Sequence, residues 1–504
     1  MGVITLSLEK TKLVPVMFAL FLSILVASLD NTIVSTAMGT IVGELGGMDQ
    51  FVWVTSAYLI AEMAGMPIFG KLSDMYGRKR FFMLGIFLFL IGSILCGTAQ
   101  NITQLSIYRA IQGIGGGALM PIAFTIIWDV FPAEQRGKMS GILGAVFGLS
   151  SIFGPLVGAY ITDFWNWRWI FYINIPIGAI CLILIFLYYH ESKKQVKQII
   201  DWSGAFTLVA SIVCLMFGLE LGGDEYMWGS VQILALFSGF LILFGGFLFI
   251  ETKAKNPIIS FEMFKYRLYT ASNFVGLFYG ATFMVATIYI PLYIQGVMGG
   301  NATSSGLLLI PMMIGTTITA SLGGELVKRM SYQGVMFASV VILLVGIGLL
   351  STLSPSTSRL EVTIYMIIIG LGTGASFSVL SMAAMHHFDS SQRGAASSTN
   401  AFLRSLGMTI GITIFGVIQQ NIFSNKLSTT FISTPTQIIG DPHVLLSAEG
   451  RAKIPASILD KITEILSTSI AQTFFWSLIP AILALLFVVL MGKAKLSDGK
   501  MAQH

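Results

Sequence analysis

Three ionisable residues stand inside stretches that are otherwise apolar: Asp30, Glu62 and Arg109. A charge in such surroundings is costly to keep, so a carboxyl there can take up or lose a proton according to the face it meets, and a guanidinium needs a counter-charge. This is the chemistry of proton movement. Asp30 lies in the outer half of the apolar run 13–38, and Glu62 approaches the inner end of run 50–69. Arg109 opens the segment Arg109-Ala-Ile-Gln112-Gly113-Ile-Gly115 within run 104–128. Around them stand side chains able to meet a planar or cationic ligand by stacking, cation–π attraction or hydrogen bonding: Trp53, Tyr58, Gln112, Asn273, Phe278 and Tyr279.

Other chemistries lack their residues. The Gly-Lys pairs at Gly70, Gly137, Gly492 and Gly499 are followed by Leu, Met, Ala and Met, so none completes a phosphate-binding Gly-Lys-Ser/Thr. No nucleophile triad or zinc spacing is visible, and His386-His387 stands alone as a histidine pair. The reading is therefore not an enzyme, with no cofactor and no metal. Cys96, Cys181 and Cys214 all lie in apolar runs and read as packing residues.

The elements that must position these groups follow from composition. Of 504 residues 55% are hydrophobic and 11% charged, and mean hydropathy is +0.82. A soluble domain carries about 25% charged residues. The chain belongs in a lipid bilayer, and its net charge of +5 is scattered in short clusters between apolar runs, which argues topology rather than nucleic acid as a partner. About fourteen runs reach the roughly 20 residues that a crossing helix needs. They include 139–162 as the fifth, 396–420 as the thirteenth and 472–491 as the last. Of the 29 Lys and Arg, 21 fall in loops on the side of the N-terminus and 6 in the opposite loops, with Arg109 and Arg404 inside runs. Both termini are therefore expected in the cytoplasm. A long outer segment, about 421–471, carries helical apolar spacing over 454–470, as expected of a helix lying on the outer surface.

An internal repeat divides the chain. Gly113, Gly115, Gly117, Ala118, Phe131, Gln135, Arg136 and Gly137 recur 257 residues later as Gly370, Gly372, Gly374, Ala375, Phe388, Gln392, Arg393 and Gly394. The register extends from Gly154 to Gly411. The expected fold is an all-α membrane protein of fourteen transmembrane helices: a six-helix bundle over 1–200, a two-helix insertion over 201–255, and a second six-helix bundle over 256–504 that carries the outer segment. Parallel repeats of this kind mark transporters with a site between the halves.

Two segments read as gates. In Gly70-Lys-Leu-Ser-Asp74-Met-Tyr-Gly77-Arg78-Lys79-Arg80 the glycines permit tight turns, and Asp74 can pair with a cation or cap a neighbouring helix. In the fifth run, Gly144, Gly148, Gly154, Pro155 and Gly158 permit close helix contact and a bend.

The Gly70–Arg80 loop resembles the signature loop of the major facilitator superfamily. The stretch from Arg109 to Gly115 resembles a superfamily motif associated with proton transfer, and Ser150-x3-Gly154-Pro155-x2-Gly158-Ala159 resembles the antiporter motif of its exporters. Leu29-Asp30-Asn-Thr32-Ile33-Val34 and Trp167-Arg168-Trp169-Ile-Phe171-Tyr-Ile173-Asn174-Ile-Pro176 are similar to the fourteen-helix drug:proton antiporters. The resemblance implies a bacterial cell-membrane protein, monomeric, that exports lipophilic or cationic drugs in exchange for protons and so confers drug resistance. Asp30, Glu62 and Arg109 would couple protons, while Gly70, Asp74, Gly77, Arg78, Gly154 and Pro155 would gate. A second reading keeps the fold with a dedicated cargo such as a lipid precursor, an amino acid, a siderophore or an alkali cation. A third is a non-transporting membrane sensor or membrane-embedded enzyme.

Overall fold

The computed structural model describes residues 11–46, 50, 52–191, 200–223, 225–300, 302–430 and 455–496. Among them the chain is helical almost throughout, as a bilayer demands, because only a helix satisfies every backbone N–H and C=O within one crossing segment. In order the long helices are α1 (Leu13–Leu45), α2 (Val52–Tyr76), α3 (Arg78–Thr98), α4 (Ile102–Val130), α5 (Ala133–Phe164) and α6 (Trp169–Tyr188, interrupted at Ile173). Next come α7 (Trp202–Leu221), α8 (Val231–Lys253), α9 (Arg267–Gly296), α10 (Ala302–Leu326) and α11 (Tyr332–Leu350), then α12 (Arg359–Met385), α13 (Arg393–Thr430) and α14 (Ala456–Leu490). Thirteen of them are long and apolar enough, over the described residues, to cross a membrane; α5, which contains the expected run 139–162, is not among those thirteen.

The helices outrun the apolar stretches. α1 continues to Leu45, seven residues beyond the run that ends at 38. The outer segment about 421–471 is shorter than expected, since α13 extends to Thr430 and α14 starts at Ala456. Its 454–470 part is not a separate surface helix: Ile462, Leu466 and Ile470 are buried in the core, and Gln419 Nε2 donates to Ser469 Oγ at 3.2 Å. The apolar face that resembled a surface helix packs on α13 instead. Residues 431–454 lie outside the described residues.

Packing repeats in the two halves. α4 lies against α2 and α3 as α12 lies against α10 and α11, and α1 touches α5 and α6 as α9 touches α13 and α14. The three glycines of the repeat explain why. A Cβ on Gly113 would stand 2.3 Å from Tyr58 O, on Gly115 2.3 Å from Phe89 N, and on Gly117 2.4 Å from Glu62 O. On Gly370, Gly372 and Gly374 it would meet Met312 O at 2.0 Å, Leu343 N at 2.5 Å and Thr316 O at 2.0 Å. Each partner lies 254 residues further on: Tyr58 to Met312, Phe89 to Leu343, Glu62 to Thr316. The offset of 257 thus holds for α4 and α12 and contracts to 254 in the two helices before them. Where only hydrogen fits, the backbones touch.

The halves meet along two repeat-related sets of contacts: α13 packs on α2 and α4, and α5 packs on α10 and α12. The inserted pair α7–α8 covers the seam between α2 and α13, where Ile60, Met63 and Met66 pack with Leu208, Ile212, Met216 and Phe402. Asp201 caps α7 through its carboxylate, which accepts from Gly204 N at 2.9 Å. One face of the molecule carries the first and last described residues: Lys12 N donates to Tyr188 O at 3.3 Å, and Tyr332 N to Ala494 O at 3.1 Å. We call it the terminal face.

Candidate functional site

Asp30 in α1 and Arg109 in α4 form an ion pair with both side chains fully buried. Asp30 sits near the middle of α1 and Arg109 two turns into α4, both in the bundle interior. Arg109 Nη1 also donates to Gln112 Oε1 at 2.8 Å, and Arg109 Nε to the Val54 carbonyl at 3.2 Å. Two amides complete the carboxylate's surroundings: Gln112 Nε2 at 2.8 Å and Asn174 Nδ2 at 3.0 Å both donate to Asp30 Oδ1. Asn174 Nδ2 also reaches Ser93 Oγ at 3.0 Å, and Ser93 Oγ donates to the Phe171 carbonyl at 2.8 Å. Asp30 is thus held by α4 and α6, and α3 steadies the holder. Four helices converge on one carboxylate.

The guanidinium leads onward to α2. Arg109 Cζ lies 4.2 Å from the centroid of the Tyr58 ring, a cation–π contact, while Arg109 Nη2 and Tyr58 OH are both buried without a hydrogen-bond partner. One turn along α2 from Tyr58 stands Glu62, half-buried, in the electrostatic reach of Arg109 and Asp30. Twelve residues separate Glu62 from Asp74, about 18 Å along the helix. Glu62 therefore stands near the middle of α2, farther from the helix end than the apolar run alone predicts. The sequence Asp30, Arg109, Tyr58, Glu62 makes a polar file from α1 through α4 to α2.

A second constellation closes the terminal face. Gly77 has φ +110°, a conformation open to glycine, and turns α2 into α3. The turn places Arg78 so that Nε pairs with Asp129 Oδ2 at 2.6 Å and Nη2 with Asp74 Oδ1 at 3.2 Å, while the guanidinium also donates to the Ser390 carbonyl. Asp74 accepts from Gly394 N at 2.9 Å and Ala395 N at 2.8 Å, so a carboxylate of the first half caps the start of α13 in the second. Arg393 Nη1 returns to Asp129 Oδ1 at 3.3 Å. Gly70 makes the approach possible, since a Cβ there would stand 2.0 Å from Ser398 Oγ and 2.6 Å from Gly394 O. Gly70, Asp74, Gly77 and Arg78 thus come together in one latch. Asp129 and Arg393 belong to it; from sequence Arg393 stands out only as part of the repeat, and Asp129 not at all.

The repeat-related contact has other chemistry. Gly324 meets Gly137 as Gly70 meets Gly394, but Lys328, Tyr332, His386 and Arg136 occupy the places of Asp74, Arg78, Asp129 and Arg393. There Tyr332 OH and His386 Nδ1 share a hydrogen bond of 3.3 Å, and Lys328 pairs with Glu325 in its own segment at 2.6 Å.

The remaining site residues are dispersed. Gly154 lies within the first bundle, where a Cβ would meet Thr32 Oγ1 at 1.8 Å, so it brings α5 against α1 two residues from Asp30; the side chain of Pro155 lies outside the described residues. Trp53 turns to the inserted pair, its ring 4.5 Å from Phe217, beside a Ser56 Oγ to Glu220 Oε1 bond of 2.7 Å. Phe278 packs on Phe487 of α14, ring centroids 5.8 Å apart, and Tyr279 OH bonds Ser339 Oγ at 3.0 Å and the Gly372 carbonyl at 3.2 Å inside the second bundle. These three do not join the central file. Asn273 faces α13, accepting from Asn400 Nδ2 at 3.2 Å. Among the described residues no group of His, Cys, Asp or Glu could hold a metal ion.

Comparison with known proteins agrees with this architecture. The family model of the Major Facilitator Superfamily matches residues 20–412. The chain belongs to that superfamily. Within it, the chain is 53% identical over 95% of its length, and 95% of the relative's, to "Multidrug resistance protein 3" of Bacillus subtilis. It is 36% identical over 98% of its length, and 95% of the relative's, to "Multidrug transporter protein MdtP" of the same organism. Among solved structures of the superfamily, the proton:xylose symporter XylE bound to 6-bromo-6-deoxy-D-glucose superposes with a TM-score of 0.65 at 13% identity, over 97% of this chain and 98% of that one. The human organic anion transporter MFSD10 superposes with a TM-score of 0.60, also at 13% identity, over 93% and 99%. These two establish the fold alone.

Proposed function

We propose that this chain is a multidrug efflux transporter of the bacterial cell membrane that exports lipophilic or cationic compounds in exchange for protons. It is a transporter, not an enzyme. The observation that carries proton coupling is the buried Asp30, held by Arg109, Gln112 and Asn174 and linked through Tyr58 to the half-buried Glu62. Export of several drugs is supported by the relatives' names, and the site adds a reason: a carboxylate within the membrane attracts lipophilic cations.

In the cycle we infer, fourteen helices cross the bilayer, with α5 as the fourteenth, and the terminal face is cytoplasmic. The Asp74–Arg78–Asp129–Arg393 latch is then the closed inner gate. A proton from outside reaches the Asp30–Glu62 file, weakens the hold of Arg109 and lets substrate leave outward. Rocking of the two bundles opens the latch, the proton departs to the cytoplasm, and a new substrate competes for the carboxylates. One charge moved through 100 mV supplies about 2.3 kcal/mol for each turn. The protein works as a monomer in this reading.

Proteoliposomes with a trapped pH-sensitive dye test it. Adding a lipophilic cation on the side from which it is exported should drive a counter-flow of protons that scales with cation flux. Cation flux with no proton movement at any imposed gradient would exclude antiport.

A further inference from the structure

Arg404, three turns into α13, is buried and its charge is unanswered. Every other buried arginine among the described residues has a carboxylate: Arg78 has Asp74 and Asp129, Arg109 has Asp30, and Arg393 has Asp129. Arg404 forms no ion pair. Its Nη1 has no hydrogen-bond partner, its Nη2 touches Met120 Sδ of α4 at 3.7 Å, and its Cζ lies 4.9 Å from the Phe377 ring centroid. A sulfur and a ring face are weak company for a guanidinium inside a membrane, where ionisable groups are retained for a partner or a pathway. The contact with Met120 places the group at the seam between the two bundles.

Neighbouring amides also have capacity to spare. Asn400, one turn before Arg404, directs Nδ2 to the Ser272 carbonyl at 3.3 Å and to Asn273 Oδ1 at 3.2 Å. The carbonyl can only accept, which fixes the orientation of Asn400 and in turn that of Asn273. Asn273 Nδ2 and Asn400 Oδ1 are buried without a well-formed hydrogen bond, the former beside the Tyr269 hydroxyl. Gly280 of α9 lets this wall close up, since a Cβ there would stand 2.2 Å from the Arg404 carbonyl. A fixed cation and an amide donor on one wall suit a carboxylate.

Depth supplies the rest. α2 and α13 run antiparallel, with Asp74 opposite Gly394 and Gly70 opposite Ser398. Arg404 is ten residues beyond Gly394, about 15 Å from the latch, and Glu62 is about 18 Å from it on α2. A cationic wall and an anionic wall thus stand at the same height in opposite halves.

We propose that Arg404 and Asn273 form a subsite for the carboxylate of an amphiphilic substrate whose basic nitrogen faces Glu62, so that zwitterions are cargo alongside simple lipophilic cations. This rests on the export reading above and names a substrate class for it.

The test uses two probes that differ by one methyl group: a rhodamine with a free carboxyl, a zwitterion, and its methyl ester, a monocation. Binding to the purified full-length protein is read by fluorescence polarisation and export by proteoliposome flux. The wild type is expected to bind and export both dyes. Arg404→Gln should weaken binding of the acid by about tenfold and leave the ester within about twofold, the size expected for one charge-assisted contact. Arg404→Lys should restore part of the loss, and Asn273→Ala should give a smaller loss in the same direction. If Arg404→Gln does not fold, the Asn273→Ala pair of affinities decides in the same way. Equal losses for both dyes, no loss for either, or a wild type that binds only the ester would each overturn the subsite while export stands. Failure of the wild type to move any lipophilic cation would instead overturn the export reading.

Discussion

Asp74 and Gly394, 320 residues apart in sequence, meet at a carboxylate-to-amide distance of 2.9 Å, and through that bond the first half of the chain caps a helix of the second. The capped end of α13 is the positive end of its dipole, and Arg78 supplies a further cation to the same carboxylate. Asp74→Asn keeps the shape but loses both attractions. The variant is expected to destabilise the latched form by about 1–2 kcal/mol. A single cysteine placed at Ser398 in a cysteine-free background should then react faster with a membrane-impermeant thiol reagent; an unchanged rate would mean that Asp74 does not hold the latch.

Gly70→Ala should be more damaging than its small size implies. The added methyl would meet both the Ser398 hydroxyl and the Gly394 carbonyl, and the second cannot move out of the way. Overpacking of this kind costs about 1–3 kcal/mol. Combining it with Ser398→Gly should recover only part of the transport lost, because the backbone clash remains. Full recovery would show that the side chain, not the backbone, sets the approach.

The two repeat-related contacts should differ in strength. Removing the buried guanidinium with Arg78→Gln leaves Asp74 and Asp129 short of a cation and should lower thermal stability in detergent by about 3 kcal/mol. Tyr332→Phe, at the corresponding place in the second half, removes the hydrogen bond to His386, worth about 1 kcal/mol. Equal effects on the unfolding temperature would contradict the asymmetry.

His387 gives a pH dependence outside the membrane spans. Its imidazole stacks on Tyr266 with centroids 5.3 Å apart, and burial holds it below the usual histidine range. A base whose folded pKa is depressed binds fewer protons folded than unfolded, so its contribution is full above the ordinary pKa of about 6.5 and fades as pH falls below it. His387→Gln should flatten the fall in unfolding temperature of the solubilised protein between pH 6.5 and lower values, without moving the plateau above. An identical slope in the variant would remove His387 from that dependence.

Much of this was legible in the residues. Apolar runs announce helices because the bilayer leaves the backbone no other choice, and the glycine repeat announces the two halves because Gly113 and Gly370 touch carbonyls 254 residues apart, Tyr58 and Met312. Hydropathy reports the part of a helix that crosses lipid, though, and not where the helix stops, so the ends of α1 and α13 and the start of α14 were missed. Asp30 and Arg109 stand out because charges are rare inside apolar runs. Asp129 and Arg393 do not, because charges at the ends of runs are ordinary, and only their partners on distant helices give them meaning. Trp53 and Phe278 show the converse limit: an aromatic on a membrane helix reads the same from sequence whether it faces a cavity, the inserted helix α7 or α14. Arg404 was counted from sequence as a basic residue inside a run, but the lack of a counter-charge is visible only once α4, α9 and α12 are packed around it.

The most direct test concerns the carboxyl that four helices surround. Proteoliposomes containing wild type or Asp30→Asn are given a proton gradient, and concentrative accumulation of a fluorescent lipophilic cation is compared with its exchange at equilibrium, where no net proton movement is needed. The account predicts that Asp30→Asn loses accumulation while retaining exchange and dye binding. Accumulation by Asp30→Asn at the wild-type level would contradict it.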